Sequence, residues 1–427
     1  MKPAPLPVPD AALHSVLAGF AGAWARDAAR LAARADAADE RIVYLDAFAG
    51  AEFAFGMGDP GRVGPSRAVA AALAVLQAAP ERGRAVLVEE DPALLARLRA
   101  ELEAAGFGDR LRATDDVALL EPGGIALVEA DFRNVADVLL AFAEPTRSLL
   151  WLAPPSARRL PWALLEAMLG DSGADVLLRF PHADFEKGGA FTGPLADLPP
   201  FAKRIVEGCS ALMGDGRHEW VSAWRAAVRA SGPRDALDAT LARFRARLDA
   251  HAGERVVKEA RAAATADALP AHLFLAATEP AAALALNAAV QGAGLADRAA
   301  SPIPVVAEPE APPPARALDL FGPPPAAAPE APPRPAPADT AELLAGRHRG
   351  ATLPLRAVLI ALADTDLTQD EVRRALGVLR REGRAVYRSL THPDAVVIFP
   401  EEAVVPAPRR KRRIEAPGSD DLFGPEE

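Results

Sequence analysis

Cysteine is nearly absent from this chain of 427 residues, which contains only Cys209. A single thiol excludes an internal disulfide and a metal site made of several cysteines. Such sparing use of cysteine is typical of a reducing cytoplasm. No apolar run reaches the roughly 18 uninterrupted residues of a transmembrane helix, and the first residues lack the apolar core of a signal peptide. We therefore expect a cytoplasmic protein with no membrane partner and no metal site.

Positive charge is in the minority, because 58 aspartate and glutamate residues outnumber 48 lysine and arginine residues. The formal net charge of −10 excludes a general polyanion-binding protein, so any contact with nucleic acid must be local. Half of the residues are apolar and a quarter are charged, as in ordinary soluble globular proteins. The length allows two or three domains.

Apolar runs typical of strands alternate with amphipathic helices over the first 300 residues. The strand-like runs occupy residues 42–45, 85–88, 125–128, 149–152, 175–180 and 272–277. Apolar residues at helical spacing cover 11–35 and 92–104. This alternation predicts a doubly wound, Rossmann-like α/β domain over residues 1–300, with helices on both faces of a parallel sheet. The stretch 190–250 is rich in aromatic residues and predicts a helical insertion that caps the ligand edge of the sheet.

A strand that ends in a carboxylate and a glycine turn is the most informative feature of this domain. The run 42–45 ends at Asp46, and Phe48-Ala49-Gly50 follows. An open parallel sheet begins a nucleotide site in this way, because glycine allows backbone amides to approach a ligand closely. Glu52 stands where a second such glycine is expected.

Acids at the ends of the next strands add to this candidate nucleoside site. Glu89 follows the second strand, where a carboxylate typically accepts hydrogen bonds from ribose hydroxyls. Asp131 follows the third strand and is placed for the amine of adenine. The alternative is that both are solvated acids at strand ends, with Glu89 capping the helix that begins at Pro92.

Proline dominates the chain after the first domain, with 14 prolines among residues 301–339. Such a segment predicts an extended linker, which we place at 301–344. Residues 345–400 are predicted to form a compact unit. In it Pro354 begins one helix, and Thr368 and Glu371 form a capping box for a second helix over 369–382. A hairpin that joins 385–387 to 396–399 is expected to follow. Helices followed by a hairpin predict a winged helix. The tail 401–427 carries the basic run Arg409–Arg413 and is expected to be disordered.

Arginine is concentrated in the predicted winged helix. The candidate nucleic-acid contacts are Arg373, Arg374, Arg380, Arg381, Arg384 and Arg388. Such a helix can enter a major groove while its arginines contact phosphates, and the basic tail would add salt-sensitive affinity. The alternative is a protein-docking unit with a solvated charged face, since Asp370, Glu371 and Glu382 dilute the positive charge.

Two copies of D-L-F-G, at 319–322 and 421–424, lie in the linker and the tail. The peptides Leu318–Phe321 and Leu422–Phe423 could each insert leucine and phenylalanine into a hydrophobic groove of a partner. The first resembles the peptide that binds the bacterial sliding clamp, although Ala317 replaces the usual leading glutamine. The alternative is that these side chains pack on the parent domain.

The order of these motifs resembles a class I S-adenosylmethionine-dependent methyltransferase, and more narrowly the three-Cys-motif partner protein (TcmP) family. The segments that carry the resemblance are the turn 46–56 (D-A-F-A-G-A-E-F-A-F-G), the G-P-S-R turn at 64–67, the acids at 89–91, the strand 175–180 and the corner 277–278. The resemblance covers roughly 40–300 and 345–400. It implies a site for S-adenosylmethionine and a partner protein that carries a three-cysteine cluster. The residues expected at the cofactor site are Asp46, Phe48, Ala49, Gly50, Glu89, Asp131, Ala153 and Pro154.

Two departures from the family pattern weaken this expected site. Glu52 would face the carboxylate of the methyl donor, at a cost of about 1–4 kcal/mol unless it pairs with Arg62 or Arg67. Ala153-Pro154 ends the fourth strand where the resemblance implies Asp-Pro, so an acceptor for the attacking nitrogen is missing.

Together these departures favour a degraded site in a protein that binds nucleic acid or a partner, and we assign no catalytic residue. The alternative is an active S-adenosylmethionine-dependent methyltransferase that acts on nucleic acid or a partner protein. It would use other groups, such as Asp131, Arg179 or His182, although His182 is more simply interpreted as a solvated loop residue.

Overall fold

The computed structural model describes residues 10–35, 40–51, 65–113, 117–143, 146–170, 173–191, 194–262, 271–293, 335–392 and 394–404. Glu52 lies outside the described residues, and so do both D-L-F-G segments and the basic run Arg409–Arg413. The expectations that depend on them therefore stay predictions.

An eight-stranded sheet forms the centre of the α/β region. Its strands are β1 (Ile42–Asp46), β2 (Gly83–Glu89), β3 (Leu111–Ala113), β4 (Ile125–Glu129), β5 (Arg147–Leu152), β6 (Asp175–Arg179), β7 (Val256–Ala262) and β8 (Ala271–Ala277). The order is β3-β4-β2-β1-β5-β6-β8-β7, and β8 runs in the direction opposite to the other seven strands of this sheet. The predicted α/β class and all six predicted strands are confirmed. Strands β3 and β7 were not predicted, because β3 is very short and β7 contains three charged residues among its seven.

Strand β1 lies at the point where the chain reverses its direction across the sheet. From β1 the chain moves outward to β2 and β4, and it then returns to the other side of β1 to form β5 and β6. In an open parallel sheet, the carboxyl ends of the strands on either side of such a point border a crevice that takes ligands. The end of β1 places Asp46 beside Leu87 of β2 and Trp151 of β5.

Helices cover both faces of the sheet and enclose two buried cores. Their bounds are α1 (Asp10–Arg34), α2 (Arg67–Ala78), α3 (Pro92–Ala104), α4 (Phe132–Ala143), α5 (Trp162–Leu169), α6 (His182–Ala190), α7 (Pro200–Met213), α8 (Glu219–Ser231), α9 (Pro233–His251) and α10 (Pro280–Gly292). Tyr44 packs in one core and its neighbour Leu45 in the other. The strands read as continuous apolar runs because both of their faces are covered.

The helical insertion predicted at 190–250 is confirmed by α7, α8 and α9, which together span residues 200–251. Three of its aromatic residues, Trp220, Trp224 and Phe244, are buried in the core on one face of the sheet. Phe201 on α7 differs, because 54% of its surface is exposed. The insertion therefore presents one large aromatic side chain to solvent.

Two segments that carry the family resemblance contact each other at the amino end of β6. The buried Asp175 accepts hydrogen bonds from the backbone N–H of Thr278 (2.6 Å) and from its hydroxyl (2.9 Å). Its second oxygen accepts from the indole N–H of Trp24 at 2.8 Å. These motif residues therefore tie β6, β8 and α1 together at the edge opposite the crevice.

The C-terminal unit contains three helices and a small antiparallel sheet. Its elements are α11 (Pro337–His348), β9 (Thr352–Pro354), α12 (Leu355–Ile360), α13 (Gln369–Arg381) and β10 (Val396–Ile398). The predicted helix after Pro354 and the capping box of Thr368 and Glu371 are both confirmed.

Two predictions for this part of the chain were wrong. Helix α11 begins inside the segment predicted to be an extended linker at 301–344, because proline is tolerated in the first turn of a helix. The predicted hairpin between 385–387 and 396–399 is reduced to one bridge between Val386 and Ile398, since β10 pairs with β9 instead.

The C-terminal unit packs against α10 and β7 of the α/β region. Leu284 of α10 belongs to the apolar core of the C-terminal unit. Lys258 donates from Nζ to the carbonyl of Thr365 at 2.7 Å, and Asn287 donates to the carbonyls of Thr365 and Leu367, both at 2.8 Å. The contact therefore combines apolar burial with directed hydrogen bonds. No helix in the described ranges is both long and apolar enough to cross a bilayer.

Candidate ligand site

A cleft of about 310 Å³ opens at the carboxyl ends of β1, β2, β4 and β5. Its lining includes Phe48, Glu89, Asp131, Phe132, Pro155 and Arg159. Three residues predicted for the cofactor site, Phe48, Glu89 and Asp131, are thus brought together. The volume is at the lower end of the range for small-molecule sites.

Glu89 is a buried carboxylate held in place by two backbone amides. Its Oε2 accepts from the N–H of Gly50 at 2.8 Å, and its Oε1 accepts from the N–H of Asp91 at 2.9 Å. Burial raises the pKa of the Glu89 carboxyl, while the two amides and Arg159 oppose the rise. Helix α3 is capped by Asp91, which accepts from the N–H of Ala93 at 2.8 Å. The alternative in which Glu89 caps this helix is therefore wrong.

Gly50 is close to Glu89, which explains why this position is a glycine. A Cβ atom on Gly50 would lie 2.8 Å from Cδ of Glu89 and 2.9 Å from Cβ of Leu94. Real Cβ atoms essentially never come so near to other heavy atoms. The close approach that the glycine permits is therefore to the acid at the end of β2.

Asp46 and Ala49 shape the turn after β1 from beneath the cleft. Asp46 is fully buried, and its Oδ1 accepts from the N–H of Phe48 at 3.0 Å. Ala49 is also buried and donates its N–H to the carbonyl of Val88 at 3.0 Å. Neither residue is among those that line the cleft. They position Phe48, which packs edge to face against Phe132 with ring centroids 5.8 Å apart.

Asp131 is held by two arginines that the sequence did not single out. Arg133 donates to it from Nε at 3.1 Å, and Arg159 donates from Nη1 at 2.8 Å. The hydrogen bonds from the Arg133 side chain are the largest cause that lowers the pKa of Asp131. The carboxylate predicted to meet the adenine amine is therefore already paired.

Arg159 crosses the cleft. Its guanidinium bonds Asp131 after β4 and also the carboxylate of Glu90 after β2, with Nη1 of Arg159 2.8 Å from Oε2 of Glu90. The arginine comes from the 3₁₀ turn Ala157–Arg159, which follows β5. Arg159, which follows β5, thus pairs with one acid that follows β2 and one that follows β4.

The end of β5 supplies no acid to the cleft. Ala153 and Pro154 are buried and do not line it, whereas Pro155 and Ser156 do. The turn beyond them is fixed by Asp184, whose Oδ2 accepts from the N–H of Ala157 at 2.8 Å. The loop 153–161 itself contains no carboxylate that could accept a proton.

His182 and Arg179 lie away from the cleft. The interpretation of His182 as a solvated loop residue is wrong, because it begins helix α6 and is largely shielded from solvent. Burial, followed by the charges of His272 and Arg179, lowers the pKa of His182 to about 4. His272 in turn bonds Glu259 at 3.1 Å. These residues belong to a separate polar cluster. Across the described ranges, no group of three or more histidine, cysteine or acidic side chains is arranged to hold a metal ion.

The six arginines predicted to contact nucleic acid have different surroundings. Arg373 lines a narrow cleft between α1 and the C-terminal unit. Arg384 is paired with Glu342 through Nη2 and Oε2 at 2.9 Å. The guanidinium of Arg380 lies 4.8 Å from the ring centroid of Tyr387. The remaining three, Arg374, Arg381 and Arg388, are exposed.

Comparison with protein-family models gave no match, and neither did comparison with curated protein sequences.

Proposed function

We propose that this chain is a methyltransferase-like protein of the TcmP type in which the cleft does not support catalysis and which acts by binding nucleic acid or a partner. The order of its parallel strands supports the assignment to methyltransferase-like proteins. When the short edge strand β3 is left out of the count, the strands β4-β2-β1-β5-β6 follow the 3-2-1-4-5 order of nucleotide-binding sheets. Beyond β6 the sheet continues with the antiparallel β8 and then β7.

The ion pairs of Arg159 carry the proposal that the site is degraded. An adenine amine would have to compete for Asp131 with two guanidinium groups. Entry of the ring would also separate Arg159 from Glu90. After β5, Ala153 and Pro154 offer no side-chain acceptor for a proton from an attacking nitrogen. Both features oppose methyl transfer, one at the binding step and the other at the chemical step.

Titration calorimetry with S-adenosylmethionine and S-adenosylhomocysteine tests this proposal. We expect the full-length protein to bind both with a dissociation constant weaker than about 100 μM. The variant Arg159→Ala frees Asp131 from one guanidinium and should bind about tenfold more tightly, a difference near 1.4 kcal/mol. Arg229→Ala is the matched control, because Arg229 is exposed on helix α8 and does not line the cleft. Low-micromolar binding by the unmodified protein would overturn the proposal.

An active methyltransferase is the second candidate, and the position of Glu89 favours it. Two backbone amides hold this carboxylate at the cleft, in the place where an acid meets ribose hydroxyls. Transfer of a labelled methyl group from S-adenosylmethionine to nucleic acid or to a partner would establish this candidate, provided that Glu89→Gln abolishes it. Under the first proposal, no transfer above background is expected.

The exposed arginines of the C-terminal unit support nucleic-acid binding. Arg374 and Arg381 project from α13, and Arg388 lies in the segment after it. A winged-helix unit would use such a helix for phosphate contacts. Replacing all three with alanine should weaken binding to duplex DNA and lower its salt dependence. Unchanged affinity would assign this face to a protein partner, such as the one with a three-cysteine cluster that the resemblance implies.

A further inference from the structure

A second cleft, here called the arginine cleft, lies beside the first between the 3₁₀ turn Ala157–Arg159 and helix α7. It has a volume of about 410 Å³, and it shares Ser156 and Arg158 with the ligand cleft. The remaining side chains that matter for its chemistry are Phe201 and Arg204, both from α7, and Asp184 from α6. A ligand that spans the two clefts would therefore pass over Ser156.

The walls of the arginine cleft are fixed by close packing. A Cβ atom on Gly208 of α7 would lie 2.8 Å from Cβ of Arg158 and 3.0 Å from its backbone N. Only a residue without a Cβ allows the helix to come so near the turn. The hydrogen bond from the N–H of Ala157 to Asp184 (2.8 Å) holds the same turn from the other side. The backbone that carries Arg158 is therefore well positioned before any ligand binds.

The two arginines of this cleft are exposed, and neither forms an ion pair with another described residue. They differ in this respect from their neighbour Arg159, which is held by two acids. The one acid of the cleft, Asp184, already accepts the Ala157 amide through Oδ2. Two positive charges thus remain available to an anion in one concave site.

Phe201 adds an aromatic surface to these charges. It precedes Arg204 by three residues, so the two side chains lie on the same side of α7. Phe191 packs against it edge to face, with ring centroids 5.6 Å apart, and more than half of Phe201 remains exposed. Aromatic faces next to guanidinium groups suit a nucleotide, because the base stacks on the ring while the phosphate accepts from arginine.

We infer that the arginine cleft binds an unstacked nucleotide of a single-stranded nucleic acid, with the base on Phe201 and the phosphate between Arg158 and Arg204. This inference rests on the proposed nucleic-acid-binding function and adds to it a site on the α/β region, apart from the C-terminal unit.

Photo-crosslinking of the full-length protein to short DNA and RNA oligonucleotides that carry 5-iodouracil tests the base contact. We expect mass spectrometry to place the crosslink on Phe201, and the variant Phe201→Ala to lose it. Preference for the DNA or the RNA probe would identify the sugar, and either preference supports the site. Crosslinks confined to the C-terminal unit or the tail would overturn the inference.

Fluorescence anisotropy with the same oligonucleotides tests the phosphate contact. The double variant Arg158→Ala/Arg204→Ala should bind at least about tenfold more weakly, and its slope of log affinity against log salt should fall by about 0.7 for each phosphate that the variant no longer neutralises. Arg158→Lys/Arg204→Lys should recover part of the affinity, and Arg229→Ala should change nothing. An unchanged slope in the double variant, or stronger competition by an oligoglutamate peptide than by unlabelled oligonucleotide, would overturn the inference.

These outcomes are separable from the test of the proposed function. Tight binding of S-adenosylmethionine would show the catalytic proposal to be wrong without affecting a crosslink at Phe201. Conversely, weak cofactor binding could occur together with crosslinks only outside the α/β region. That result would leave in place the proposal that the ligand cleft does not support catalysis, and it would show that the arginine cleft does not bind nucleic acid.

Discussion

At the scale of single residues, Gly50 and Glu89 depend on each other. The N–H of Gly50 donates to Oε2 of Glu89, and the carboxyl group occupies space that any larger residue at position 50 would need. The glycine turn after β1 and the acid after β2 therefore form one structural unit. A ligand at this cleft meets a carboxylate that is already oriented.

The variant Gly50→Ala should lower the free energy of unfolding by about 1–3 kcal/mol, because the added methyl group forces Glu89 or Leu94 to move. Chemical denaturation measures the change. Gly216→Ala is the control, since a Cβ there has no heavy atom within 4 Å, and it should alter stability by less than about 0.5 kcal/mol. Equal effects of the two substitutions would contradict the proposed packing.

Asp131 gives the site a dependence on pH. Its pKa lies below the ordinary 3.8, chiefly because Arg133 donates hydrogen bonds to it. Its ion pairs therefore stabilise the fold above that value, and their contribution is lost as pH falls through the lowered pKa. The difference in free energy of unfolding between the protein and Asp131→Asn should be largest above about pH 5 and shrink toward pH 3. Asp137→Asn, on the exposed side of α4, should change stability little at any pH. A difference that stays constant down to pH 3 would contradict the assignment.

Sequence reasoning found the acids of the cleft but missed the cation that joins them. Glu89 and Asp131 were predicted because each directly follows an apolar strand, and the carboxyl ends of parallel strands share one edge. Arg159 is 69 positions from Glu90 and 28 from Asp131, so no local pattern indicates these pairs. The run of two arginines after Pro154-Pro155 was the only available signal. The expected effect of Glu52 on the cofactor site stays a prediction, because this residue lies outside the described residues.

At the scale of elements, helix α13 contains one stabilising and one destabilising feature. Its capping box is complete, because Thr368 accepts from the N–H of Glu371 at 3.3 Å and Glu371 accepts from the N–H of Thr368 at 2.7 Å. Gly377 lies in the middle of the same helix, where glycine carries an entropic cost. A Cβ atom there would meet only Nη1 of Arg381, at 3.9 Å.

Substitutions at these two positions should change stability in opposite directions. Thr368→Ala should lower the free energy of unfolding by about 0.5–2 kcal/mol through loss of the cap. Gly377→Ala should raise it by about 0.5–1 kcal/mol. Thermal and chemical unfolding of the full-length protein measure both, and each variant serves as the control for the other. Destabilisation by Gly377→Ala would show that the helix face around it is more tightly packed than the geometry indicates.

The small sheet of the C-terminal unit shows why strand pairing was harder to predict than helices. The capping box and the apolar stripe of α13 are local signals, and they placed the helix within one residue of its observed end. Strand β10 pairs with β9, so that Val397 is opposite Leu353. Choosing β9 over the nearer segment 385–387 depends on how α12 and α13 pack, and the sequence does not show this. The single bridge of Val386 to Ile398 is what remains of the expected hairpin.

At the scale of the whole molecule, the C-terminal unit is attached to the α/β region by buried polar groups. Lys258 is only 2% exposed, and burial lowers its pKa while Asp366 opposes the decrease. Asn287 is also buried and satisfies two carbonyls of the C-terminal unit. Leu284 adds apolar contact beside them. Hydrogen bonds of this kind fix an orientation as well as an affinity, so the exposed arginines of α13 hold a set position relative to the two clefts.

The variant Asn287→Ala should therefore loosen this attachment. It leaves the buried carbonyls of Thr365 and Leu367 without this donor, which should cost about 1–3 kcal/mol. Hydrogen exchange followed by mass spectrometry should show faster exchange in peptides from α10 and from residues 361–368, while β1 and β2 keep their protection. Asn134→Ala, at an exposed position of α4, is the matched control and should leave exchange unchanged. If exchange in Asn287→Ala is faster everywhere, the variant is globally destabilised. If exchange is unchanged, Leu284 and its apolar neighbours hold the C-terminal unit without the polar contacts.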